Sequence, residues 1–179
     1  YIFTTGKYTY KKFLKNYSSK INIIGSNKWK KIKLHKIKKS NKIILLLPEA
    51  YISESKNLLN FAIQISKLSK EFKFYLRLHP MINFKDLNID LKKYKNIELS
   101  NCKIEDDFKR SSNFIYRGSA SAIEAAAHGL NPIYFGKPDI ANINPLFEVL
   151  EKENYITDPK NFVKIFKKNK FNNNKIKDY

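Results

Sequence analysis

Residues 113–136, NFIYRGSASAIEAAAHGLNPIYFG, constrain the chain more than any other stretch. A short apolar run ends at Gly118 and Ser119, an alanine-rich helix opens at Ser121, Gly129 stops it, and a second apolar run follows from Pro132 to Phe135. The order is strand, tight turn, helix, strand. In a parallel α/β sheet, ligands sit outside the carboxyl ends of the strands, where a following helix offers free N–H groups. Gly118 lets the backbone approach a phosphate closely, and Ser119 and Ser121 add hydroxyl donors. The expectation is an anion site at 118–121.

The same alternation begins at Lys42. KIILLLP is a continuous apolar run, as expected of a strand covered on both faces. Ser53 is placed to cap the next helix, whose apolar positions Leu58, Leu59, Ala62, Ile65, Leu68 and Phe72 recur at helical spacing. KFYLRLHP reads as a second strand ended by Pro80, since proline cannot donate to a central ladder. A weak helix around Leu87 and Leu91, a third strand NIELS, and a short helix with Glu105, Asp106 and Asp107 in its first turn come next. Another amphipathic helix is expected near 161–166, then a frayed polar tail. Upstream, YIFTTG, a helix through Tyr10, Phe13 and Leu14, and INIIGS form a strand–helix–strand. The lysine-dense segment between reads as a connector. This predicts an α/β fold, a Rossmann-like parallel sheet with helices on both faces. Glu49, His79, Ser100 and the Gly118–Ser119 pair then line one edge of it.

Composition excludes several classes. The chain has 179 residues, 42% of them hydrophobic, enough for one real core or one domain and a piece of another. One cysteine, Cys102, rules out internal disulfides and a cysteine-based zinc site, and suits a reducing compartment. No clustered carboxylate–histidine set has metal-ligand spacing, so no metal is expected. No apolar run approaches the roughly 18 residues of a membrane span, and no signal-peptide pattern opens the chain. It opens at Tyr1 on what already reads as a strand, so a fragment is expected. The net charge of +19 invites a nucleic-acid partner. The excess is almost all lysine, spread along the chain with asparagine and isoleucine as an AT-rich genome would write it. Phosphate and base recognition favour arginine, and there are only three: Arg77, Arg110 and Arg117. No nucleic-acid partner is expected; weak attraction to an anionic membrane face is the implication of the charge favoured over it.

Three motifs resemble one family. EAAAHGLNPI, from Glu124, resembles the Glu-Ala-x-x-x-Gly-x-Pro pattern of GT-B glycosyltransferases; RLHP, from Arg77 to Pro80, resembles the His-Pro motif of bacterial sialyltransferases and CDP-glycerol glycerophosphotransferases. GSAS resembles their paired-serine motif, with Ala120 between the serines, and LPEA resembles an acidic-Gly element, with Ala50 where glycine is usual. The resemblance is to the C-terminal, nucleotide-sugar-binding half of a GT-B fold, in enzymes of bacterial capsule and surface-carbohydrate synthesis. It implies the end of an N-terminal domain over 1–26, an interdomain linker over 27–41, the nucleotide-sugar-binding domain over 42–150, and a C-terminal helix and tail over 151–179.

By that resemblance, Glu124 accepts from ribose hydroxyls and His79 donates to the leaving phosphate, where glycosyl transfer leaves negative charge to be stabilised. Arg77, Arg117, Gly118, Ser119, Ser121 and Glu49 complete the nucleotide and phosphate contacts. Other readings stay open: Ser121 and Glu124 have capping-box spacing, and Arg77 and Arg117 could pair with Glu49, Glu98 or Glu105. The implied chemistry is metal-independent, with no cofactor beyond a nucleotide-sugar donor as substrate, CMP- or CDP-linked slightly favoured over UDP-linked. The acceptor is a glycan or lipid-linked sugar. The location is cytoplasmic, with peripheral association with the inner membrane compatible with the charge. The catalytic base is expected in the missing N-terminal part, leaving the fragment alone inactive. The alternatives are an epimerase of the UDP-N-acetylglucosamine 2-epimerase type and a noncatalytic basic module for nucleic acid or membrane.

Overall fold

The computed structural model describes residues 1–4, 6–25, 42–137, 141–146 and 154–167, which fall into two compact units. The expected linker at 27–41 and the polar tail lie outside the described residues. In the first unit, β1 (Ile2–Thr4), α1 (Lys7–Leu14) and β2 (Ile21–Ile23) follow one another, and β1 pairs in parallel with β2, Ile2 opposite Ile21. The strand–helix–strand expected there is present.

The second unit is a six-stranded sheet: β3 (Ile43–Leu47), β4 (Lys73–Leu76), β5 (Ile97–Leu99), β6 (Asn113–Tyr116), β7 (Asn131–Phe135) and β8 (Tyr155–Ile156). Its helices are α2 (Ile52–Leu68), α3 (Ile104–Arg110), α4 (Ser121–Ala127) and α5 (Pro159–Lys167). Every strand pairing is parallel, and the spatial order is β5-β4-β3-β6-β7-β8. The chain therefore runs outward from β3 to β5, then returns to lay β6 on the other flank of β3. In sheets of this kind that reversal is where a crevice lies, beyond the carboxyl ends of β3 and β6.

Strand alternation divides the core in two. Ile44 and Leu46 of β3, Phe74 and Leu76 of β4, Ile115 of β6 and Ile133 of β7 face α2 and α5. Leu45, Leu47, Tyr75, Phe114, Tyr116 and Tyr134 face the other way, with α3 and α4. The second face is strongly aromatic: Tyr116 and Tyr134 meet edge-on at 5.7 Å, and Tyr134 and Tyr155 lie tilted to each other at 4.9 Å. A helix over such a face must be thin, and α4 presents Ala122, Ala125 and Ala126 to it. On the first face Phe162 of α5 packs against Phe61 and Phe72, seating α5 on α2.

Several local expectations are corrected. Helix α2 begins at Ile52, with Tyr51 at the cap and no side-chain cap bond, so Ser53 lies one residue inside it and is exposed. The Ser55 hydroxyl instead donates to the Glu49 carbonyl at 3.3 Å, tying the helix start to the loop after β3. Leu68, the last helical residue, is exposed, and Phe72 lies beyond the helix, buried. Strand β4 ends at Leu76, before Pro80 can act on it. The weak helix is two 3-10 turns, Phe84–Leu87 and Leu91–Lys93, opened by the side chains of Asn83 and Asp90 and separated by Asn88 in a left-handed conformation. Strand β8 had no sequence signal long enough to see.

Gly129 does stop α4. Its φ of 88° permits a Schellman closure, with Gly129 N–H donating to Ala126 O at 2.9 Å and Leu130 N–H to Ala125 O at 3.1 Å. Pro132 is accommodated inside β7 because Asn131 N–H uses the β6 side, at Ser112 O, so the proline nitrogen faces the flank where β8 pairs only from Tyr134 onward. The Pro132 carbonyl on that flank accepts from Asn154 Nδ2 at 3.0 Å.

Truncating Phe162 to alanine should cost about 3–5 kcal/mol of unfolding free energy. Leu68→Ala, at a helical position just as apolar, should stay within about 0.5 kcal/mol. Urea denaturation of both variants checks the division of α2 and α5 into buried and open faces.

Candidate functional site at the carboxyl ends of β3 and β6

The loops after β3 and β6 meet at the crevice. Gly118 N–H donates to Glu49 Oε1 at 3.0 Å, joining residues 69 apart in sequence. A Cβ on Gly118 would fall 2.7 Å from the Glu49 carboxyl carbon and 2.7 Å from Ile143 Cδ1, so this glycine is what lets the carboxylate lie against the backbone. Next to it Arg117 is only 3% exposed. Its Nε lies 3.3 Å from Glu54 Oε2 on α2, and its Nη2 donates to Ala141 O at 3.0 Å. One carboxylate, Glu54, pairs with this buried guanidinium, while Glu49 is held by the neighbouring backbone N–H.

Electrostatics follow from that arrangement. Burial pushes the Glu49 carboxyl above its ordinary value; the Gly118 N–H pulls it back, Glu54 adds to the rise and Arg117 opposes it. Burial likewise raises Tyr134, whose hydroxyl accepts from Ile143 N–H at 3.4 Å.

Loop 141–146 closes this end of the sheet through the aromatic face. Tyr116 donates its hydroxyl to Asn144 Oδ1 at 2.7 Å, Asn144 Nδ2 donates to the Tyr155 hydroxyl at 3.0 Å, and Leu146 N–H donates to Asn144 Oδ1 at 2.8 Å. The buried amide of Asn144 therefore joins β6, the region of β8 and the loop. Sequence reasoning missed this residue, because no motif marks an asparagine in a loop.

The remaining expected residues divide. His79 follows β4 on the same edge; its Nδ1 accepts from Met81 N–H at 3.3 Å, which puts the proton of the neutral ring on Nε2. Ser119 is buried, and its carbonyl accepts from Ala122 N–H at 3.1 Å. That bond starts the helical turn early. Ser121 is consequently already inside α4, with Ala120 at the cap and no side-chain cap bond, and the capping box does not form. Glu124 lies partly buried one turn into the helix.

Arg77 and Ser100 belong to a different centre. Asp107, fully buried, receives Arg77 Nη1 at 2.6 Å, Arg110 Nη2 at 2.6 Å, Ser100 Oγ at 2.7 Å and the Cys102 thiol at 3.3 Å. Arg77 Nη1 also donates to Cys102 O at 2.8 Å, and the Arg110 guanidinium lies 3.5 Å over the Tyr75 ring. The ion-pair partner of Arg77 is therefore Asp107, none of the three glutamates considered from sequence; that of Arg117 is Glu54. Asp107 was read only as a first-turn carboxylate, and its spacing from Arg110 was the signal available.

Among the described residues no group of three or more His, Cys, Asp or Glu lies together as a metal site, and no helix is long and apolar enough to cross a membrane.

No protein-family model matches this chain, and no curated protein matches it by sequence. Solved structures do. The pneumococcal O-GlcNAc transferase GtfA, in complex with UDP and GlcNAc, aligns over 94% of this chain and 38% of its own with a TM-score of 0.61 at 15% identity. TarM aligns over 96% and 36%, with a TM-score of 0.55 at 16% identity. A Listeria monocytogenes protein named as a UDP-N-acetylglucosamine 2-epimerase aligns over 75% and 38%, with a TM-score of 0.51 at 14% identity. The likeness is one of fold: a Rossmann-like α/β sheet of the GT-B kind. The chain spans a little over a third of the length of each.

Two outcomes test this geometry. Because the raised Glu49 carboxyl keeps its proton longer in the folded chain than in the unfolded one, its contribution to stability falls as pH rises from about 4.5 through the folded value. Melting of the chain against Glu49→Gln across pH 4–7 should show the parent losing ground to the variant with rising pH. Asp107→Asn should cost about 2–3 kcal/mol by denaturant titration, below the value for a wholly buried pair because both arginines are partly exposed.

Proposed function

We propose that this chain is the nucleotide-binding part of a glycosyltransferase that takes a nucleotide-activated sugar and passes the glycosyl group to a glycan or lipid-linked acceptor. One observation carries the reading: the strand order sets the loops bearing Glu49, His79 and the Gly118–Ser119 pair on one edge, at the reversal between β3 and β6. The fold shared with an O-GlcNAc transferase bound to UDP supports it, as do the Glu124 and His79 motifs.

In this reading Gly118 and Ser119 take phosphate oxygens, Ser121 adds a hydroxyl and Glu124 accepts from the ribose. The Nε2–H of His79 donates to the departing phosphate, matching the negative charge that develops there. Arg117, which also holds Glu54 and the Ala141 carbonyl, and Arg77, which also holds Asp107, add positive charge toward the phosphates. The transfer runs without a metal, an N-terminal domain holds the acceptor and supplies the base that deprotonates it, and the setting is surface-polysaccharide synthesis on the cytoplasmic side of the membrane. UDP stands beside CMP and CDP as a donor nucleotide, since the UDP-bound likeness offsets the His-Pro tilt. The epimerase alternative rests on the Listeria likeness, which covers less of the chain.

Calorimetric titration with CMP, CDP, UDP and GDP at moderate salt is the test. One nucleotide should bind at least tenfold more tightly than inorganic phosphate, and both His79→Ala and Glu124→Ala should weaken it at least tenfold, about 1.4 kcal/mol. Equal binding of all four at the level of phosphate would sink the reading. Binding that collapses with salt yet survives both substitutions would favour the basic-module alternative.

A further inference from the structure

We propose that Glu49 is a built-in occupant of the donor position at the head of the β6 loop: its carboxylate holds the Gly118 N–H that a ligand's phosphate oxygen would otherwise take, and an anionic ligand binds by displacing it. The inference rests on the nucleotide reading above for the identity of that ligand, a phosphate ester, but not for the contact itself.

Three observations converge on it. The backbone donor is already used, at 3.0 Å, by a carboxylate oxygen, the same kind of acceptor a phosphate presents. The absent side chain at Gly118 is matched to Glu49, since a Cβ would stand 2.8 Å from Glu49 Oε2 and 2.7 Å from its carboxyl carbon. Finally, Arg117, the residue before that glycine, is buried with no hydrogen-bond partner at Nη1, so an incompletely compensated positive charge lies in the chain next to the contact.

The contact is also built to be exchanged. Glu49 is only partly buried, on a side chain with three rotatable bonds, so it can turn out to solvent without moving β3 or β6. Its charge is held against a cost: burial and the neighbouring Glu54 disfavour the carboxylate, while Gly118 N–H and Arg117 favour it. The ionisable groups facing it are Glu54 on α2, Arg117 after β6 and Tyr134 on β7. An arriving phosphate is repelled by both carboxylates until Glu49 leaves. The device selects for ligands whose remaining contacts are strong enough to drive that exchange, and it keeps free inorganic phosphate out.

The experiment follows the Gly118 amide in the isotopically labelled chain by NMR during titration with inorganic phosphate, in the parent, Glu49→Ala and Glu49→Gln, with amide dispersion confirming the fold of each. Phosphate should shift the Gly118 amide in Glu49→Ala with at least tenfold higher affinity than in the parent, and Glu49→Gln should fall between. A second arm uses sulfate, whose charge is constant from pH 7 to 5. The parent should bind it more tightly as Glu49 is neutralised, by more than Glu49→Gln does over the same range. Equal affinities in parent and Glu49→Ala, or a Gly118 amide in Glu49→Ala that ignores phosphate, would overturn the proposal. Failure of every nucleotide to exceed phosphate would instead count against the transferase reading, leaving the exchange at Gly118 standing on the phosphate result.

Discussion

The fit of a thin helix onto an aromatic strand face is the contact on which this unit's working edge depends. Helix α4 lies over Tyr116 and Tyr134 through alanines. Larger side chains there would lift the helix from the sheet and carry with it the turn of Gly118 and Ser119. The aromatic rings have a second role at their far ends, where the hydroxyls of Tyr116 and Tyr155 meet the amide of Asn144 and fix loop 141–146. Packing on one side of the rings and hydrogen bonding at their tips thus locate both walls of the crevice.

Charge inside the unit is segregated in a similar way. In a chain with a net charge of +19, the arginines carry the inward-facing positive charge among the described residues, Arg117 buried and Arg77 and Arg110 partly so. Arg77 and Arg110 converge on Asp107 behind β4 and β5, and Arg117 on Glu54 behind β6. The planar guanidinium, with its fork of donors, suits such internal work. Among the described residues the lysines, compact charges on long flexible stems, mostly stay outside. This is why the charge that dominates the composition says little about the crevice.

Much of this was legible in advance. The continuous apolar run at β3 announced a strand covered on both faces, and the glycine, alanine and proline punctuation of 113–136 announced the βαβ unit around β6 and β7. The edge residues Glu49 and Gly118 follow from those two readings, and His79 from the reading of KFYLRLHP as a further strand. What could not be read were partnerships. Asp107 sits among three adjacent acids, and nothing in the sequence distinguishes the one that points inward. The serine spacing suggested a cap, yet the turn at Ser119 begins the helix early and absorbs Ser121. Strand β8, two residues long, carries too little pattern to be seen, though it completes the sheet.

Pro132 has an effect beyond its own strand. A sheet that ends in a short strand leaves part of the preceding one uncovered, and a bare row of backbone groups is a template for another chain. Here the stretch of β7 ahead of its described pairing with β8 lacks an N–H at Pro132, and its carbonyl is taken by Asn154. The flank is therefore silenced at the point where β8 does not reach. A protein present at high concentration gains from this a margin against edge-to-edge polymerisation, provided by a proline that the sequence motif alone would have assigned a different task.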